Sequence, residues 1–135
     1  MPEPDADLLQ MLGAAFTAFE AIRQSAREQE DRDQDLFPAF ISAATVAANG
    51  RDAVLTANVV PADVGLPPGF TQPAPEASPN EAANAIAASA AVLANWLDKA
   101  VGLAATPNDQ HACRDAAAAA RQIHELMTAD DTHSR

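Results

Sequence analysis

One long interruption, from Val59 to Pro79, divides a chain whose other residues recur almost throughout at helical spacing. Pro61 to Pro79 holds six prolines and two glycines, including Pro67-Pro68-Gly69, and such a segment cannot continue a helix. On either side lie strong helix formers with apolar residues three and four apart, the pattern of helices that bury one face. Two helical pairs joined by an overlong connection predict an all-α fold. The expected form is a single domain, residues 1–135: a compact four-helix bundle with a long Pro-rich crossover between helices two and three. Val64, Leu66 and Phe70 are the expected anchors that hold the crossover, residues 59–79, ordered along the bundle.

The apolar content limits how that bundle is held together. Leu, Ile, Val and Phe supply only 26 residues, whereas alanine supplies 34 of 135. So few large apolar side chains approach the range of disordered chains, but their helical placement argues for a folded core. Alanine lets helix backbones approach closely, so few large side chains can fill a tight bundle. Less apolar area is then buried per residue, and small domains are already marginal. Either the four helices pack compactly or a partner subunit completes them.

Helix one is expected from about Ala6 to Glu30, with Leu8, Leu9, Leu12, Ala15, Phe16, Phe19, Ile22 and Ala26 as its apolar stripe. A turn over Gln29 to Gln34 leads to Asp35, which can cap a second helix with Pro38 in its first turn. Phe37, Phe40, Ile41, Ala44 and Ala48 are its expected buried side, and Asn49-Gly50 reads as a stop. Residues Asp52 to Val60 suit a further helical turn or two after a bend, with an extended run as the alternative. Ser78-Pro79-Asn80-Glu81 reads as a capping box opening helix three, which ends near Gly102. Thr106-Pro107-Asn108-Asp109 repeats that signature for helix four, and residues 130–135 read as a frayed tail.

The formal net charge is -11 on 14.0 kDa, with eight basic residues spread from Arg23 to Arg135. Nucleic-acid or anionic-membrane binding would need those cations clustered, so neither is expected as a partner. Met1 to Leu9 carries three acids and no basic flank of a secretory signal. The most apolar stretch, Ala82 to Leu97, is alanine-rich and interrupted by Asn84 and Asn95, short of a convincing span. Cytoplasmic residence is therefore expected. Cys113 is the sole cysteine, so no internal disulfide can form.

Asp31, Asp33 and Asp35 alternate as the opening carboxylates of a calcium loop do. The sixth position, however, is Leu36 and the twelfth is Ser42, where the loop needs Gly and Glu. His111 and Asp115, four apart on a helix, are the other weak metal candidates. A di-iron carboxylate bundle would need Glu-x-x-His on two helices, and none occurs. No metal or other cofactor is expected. His111, Arg114, Ala118, Arg121 and Glu125 read as the exposed face of helix four, and Cys113 as a small buried hydrophobe.

Trp96, Phe16, Phe19, Phe37, Phe40 and Phe70 are the candidates for an interface or ligand pocket. All but Phe70 also have a place in a helical core stripe. Without a reactive cluster, phosphate loop or dinucleotide fingerprint, the expected function is a non-enzymatic protein-interaction or assembly module. Its first expected partner is a second copy of itself. The alternative is a small-molecule-binding or enzymatic bundle in which the crossover covers an aromatic-lined pocket.

Overall fold

The computed structural model describes the backbone of residues 4–29, 37–56, 66–67, 69–70, 72, 78–104 and 106–133. Side chains at 4–7, 9, 37, 79 and 129–133 lie outside the description. Four α-helices account for nearly all of it: α1 (Pro4–Gln29), α2 (Phe37–Leu55), α3 (Pro79–Leu103) and α4 (Pro107–His133). No β-strand occurs among the described residues. α4 thus continues past Asp130, where the sequence places the start of the tail.

The helices form a four-cornered bundle in which α1 packs against α2 and α3, and α4 packs against the same two. Every neighbouring pair is antiparallel. Glu20 of α1 meets Arg51 of α2, and Trp96 of α3 reaches back to Met11 of α1. Arg121 of α4 meets Asp98 of α3, and Asn108 at the start of α4 bonds the Thr56 carbonyl just past α2. α2 and α3 consequently point the same way across a diagonal. The chain between them has to return along the full bundle, roughly 30 Å at 1.5 Å per helical residue. That requirement explains a connection far longer than a usual helix–helix loop.

The core consists of a few large side chains set among alanines. Leu8, Leu12, Phe19 and Ile22 of α1 are buried with Phe40 and Val54 of α2, Ile86, Leu93 and Leu97 of α3, and Ile123 of α4. Between them sit Ala15, Ala18, Ala43, Ala47, Ala90, Ala100, Ala116 and Ala120, each fully enclosed. Alanine here contributes little area itself but allows the large residues of neighbouring helices to meet.

Both predicted N-terminal caps of the second half are present. The Glu81 amide donates to Ser78 Oγ at 3.2 Å, and the Ser78 amide donates to Glu81 Oε1 at 3.3 Å. The Asp109 amide donates to Thr106 Oγ1 at 3.1 Å. These bonds satisfy donors that the first turn of a helix otherwise leaves open.

α2 departs from the sequence reading in two ways. It does not stop at Asn49-Gly50 but runs unbroken to Leu55. Gly50 is buried, and a Cβ placed there would overlap the aromatic ring of Phe19. Glycine at this position is therefore a socket for a neighbouring helix, and the expected stop is a close contact. Ile41, expected inside, faces outward instead at 38% exposure, and Ala48 is only half-buried. Val54 and Leu55 are helical, against the extended alternative for Val54 to Val60; the rest of that run from residue 57, and the expected cap at Asp35, lie outside the described residues.

Within the crossover, the Phe70 amide donates to the Pro67 carbonyl at 3.2 Å, and Gly69 has a φ of 85°. This is a turn whose third residue needs a positive φ, which glycine adopts without strain. The turn sets half-buried Phe70 against the core, beside Ile22 of α1 and Ile86 of α3. Leu66, the second expected anchor, is exposed at 37% and does not dock as Phe70 does. Val64, the third, lies outside the described residues.

Candidate functional site

The aromatic candidates do not line one chamber. Phe19 and Phe40 are fully enclosed core residues, and the Phe19 ring is committed to Gly50. Phe16, Phe70 and Trp96 are half-buried and pack on the core from its margin. Trp96 buries most of its ring and turns its polar edge to α1, where Nε1 donates to the Met11 carbonyl at 2.9 Å. An indole so bonded fastens two helices together. The cleft lined by Ala21, Ile22, Ser25, Phe70, Gln72, Ile86 and Ser89 is filled to the point that no water fits inside. The Phe37 side chain lies outside the described residues.

The metal candidates separate in the same way. His111 and Asp115 do meet, with Nε2 to Oδ2 at 3.1 Å, but on the exposed face of α4. No group of three or more His, Cys, Asp or Glu side chains arranged to hold an ion occurs among the described residues. Asp31, Asp33 and Asp35 lie outside them. The rest of the predicted face, Arg114, Ala118, Arg121 and Glu125, is exposed, and Arg121 pairs through Nη2 with both carboxylate oxygens of Asp98.

Cys113 is wholly buried among core alanines, as its helical register predicts. Burial first, and the nearby Asp109 carboxylate second, push its thiol up to about 11. A group so protonated at neutral pH is a poor nucleophile, since the thiolate is the reactive form.

The feature that sequence reasoning missed is the outer side of α2. Ile41, Thr45, Asp52 and Leu55 are exposed and Ala48 is half-buried, and all five fall on one stripe. Leu55 is 55% exposed, the most of any large apolar residue described. Shallow grooves flank the stripe. One of about 330 Å³ is lined by Arg23, Arg27, Ile41, Ala44, Thr45, Ala48 and Asn49. The other, about 400 Å³, includes Val46, Ala53, Thr56, Asp115, Ala118 and Ala119. Arg51 at the border is occupied: it bonds Glu20 of α1 and lies 3.3 Å from Asp52, and the Glu20 bond is the main reason its pKa is raised. The steps of four and three from Ile41 to Leu55 were visible in the sequence. An inward reading of Ile41 and Ala48, with a helix end at Gly50, hides them.

Asn80–Leu103, nearly the whole of α3, is long and apolar enough to cross a membrane by length and composition alone, a test that core helices also pass. In the bundle its large residues Ile86, Leu93 and Leu97 are enclosed by neighbouring helices. No family model, curated protein or solved structure matches this chain.

Proposed function

We propose that this chain is a non-catalytic assembly module that acts by associating with a second copy of itself, in the cytoplasm and apart from nucleic acid and membranes. One observation carries the reading: besides the apolar side it packs into the bundle, α2 exposes two large apolar side chains on its outer stripe. Its inner side is committed to the bundle, while Ile41 and Leu55 stand in solvent on its outer side. Large apolar side chains set on one exposed stripe mark a surface that a partner can cover. The half-buried Trp96 and the filled cleft at Phe70 favour this reading over a ligand chamber. The net charge of -11 supports a protein partner over a polyanion.

Light scattering over about 1–100 µM tests the proposal, because weak dimers dissociate within that range. The expected mass rises with concentration from 14.0 kDa toward twice that value. A mass that stays at the monomer value throughout overturns it.

A further inference from the structure

We infer that the outer stripe of α2 packs against the same stripe of a second copy, antiparallel, about a two-fold axis passing by Ala48. This inference rests on the assembly reading above and gives it a surface and a geometry.

Ile41, Thr45, Ala48, Asp52 and Leu55 are separated by four, three, four and three residues. At ~100° per residue they span an arc of only about 80° on α2. That alternation is the spacing by which two helices make a seam. The order along the seam is large apolar, polar, alanine, polar, large apolar, which reads alike from both ends. When two such stripes are laid antiparallel, Ile41 faces the second copy's Leu55, Thr45 faces the second copy's Asp52, and Ala48 faces itself. A surface that complements its own reversed copy is what a two-fold interface requires. Alanine at the axis allows close approach, and the grooves beside α2, lined by Ala44 and Ala48 on one side and Ala53 and Ala118 on the other, leave room for the second copy's ridges.

Charge selects both the face and the direction. α2 holds only Arg51 and Asp52 and is net neutral, in a chain of formal charge -11. Two copies therefore meet with least repulsion along this helix, whereas a basic partner would be drawn to the acidic remainder. A parallel seam would set Asp52 against Asp52. The antiparallel seam parts these carboxylates by about 12 Å along the axis, beyond a Debye length of about 8 Å in physiological salt.

Cysteine coupling and light scattering test the geometry together, on the full chain. Ala48→Cys is expected to form a disulfide-linked dimer under mild oxidation, with the enclosed Cys113 taking no part. Ile41→Cys alone is expected not to couple to itself, since the two positions lie about 20 Å apart across the axis. Mixed with Leu55→Cys, it is expected to couple. The double variant Ile41→Glu/Leu55→Glu is expected to weaken self-association about tenfold or more, as loss of central apolar contacts does. Helical circular dichroism serves as its folding control, and if that variant unfolds the cysteine pairs decide. A wild-type dimer that neither couples at Ala48→Cys nor responds to the double variant overturns the α2 face and leaves self-assembly standing. Coupling of Ile41→Cys to itself overturns the antiparallel order. A strictly monomeric wild type overturns the seam and the assembly reading together.

Discussion

α2 and α3 are both apolar helices on opposite corners of the bundle, yet they distribute that character differently. α3 turns Ile86, Leu93 and Leu97 inward and leaves Asn84, Ala88, Asn95 and Asp98 outside. α2 buries Phe40, Ala43, Ala47 and Val54 while leaving Ile41 and Leu55 in water. Among the described residues, α3 is by composition the membrane candidate, and α2 by exposure the helix with large apolar side chains left in water. Average apolarity is therefore a poor guide to where a partner sits. The position of each large side chain around the helix decides it.

The strongest way to break the contrast is to attack the committed side of α3. Leu93→Ala should cost about 2–5 kcal/mol, because a residue enclosed by alanines leaves a cavity the surroundings cannot readily fill. Urea unfolding checks this; a loss of a few tenths would place Leu93 outside the rigid core.

The second test titrates the core next to α3. The folded state holds the Cys113 thiol at about 11, above its ordinary value of 9.0. Above pH 9 the unfolded chain releases this proton while the folded chain retains it, so stability should fall as pH rises from 9 to 11. The loss should be on the order of 1–3 kcal/mol and be fully avoided below the lower value. The difference between wild type and Cys113→Ala across that window isolates it from other titrating groups.

On the inner side of α2, Gly50→Ala sets two effects against each other. Alanine gains about 1 kcal/mol of helix propensity, but a methyl in the Phe19 socket costs about 1–3 kcal/mol in overpacking. A net loss is expected, and Phe19→Leu in the same chain should recover part of it. Stabilisation by Gly50→Ala alone would show that the ring can move aside. The smallest effect belongs to the outer side: Ile41→Glu should change the stability of the dilute monomer by no more than about 0.5 kcal/mol. A larger loss would mean that Ile41 supports the bundle itself.

The sequence made the second half of the fold plain, because its signals are local. Ser78, Glu81, Thr106 and Asp109 act within one turn of themselves, so their bonds follow from spacing alone. The exposed face of α4 and the burial of Cys113 likewise follow from periodicity. Gly50 is ambiguous in the sequence because glycine marks both a helix end and a close approach, and only the Phe19 ring from another helix distinguishes them. Leu66 and Phe70 were equivalent as apolar residues among prolines. The turn at Gly69 delivers one to the core, and Leu66 remains exposed. The aromatic residues were legible as packing groups but not as members of separate contacts, since their grouping depends on which helices are neighbours.

Trp96 carries a consequence beyond packing. It is the only tryptophan, and the chain has no tyrosine, so ultraviolet emission beyond the phenylalanine band comes from one indole. That indole is tied to the Met11 carbonyl across the α1–α3 seam. Its emission maximum thus reports the wetting of a single helix–helix joint, while far-ultraviolet dichroism reports helix content as a whole. The native chain carries its own optical gauge for whether α1 leaves the bundle before the helices melt.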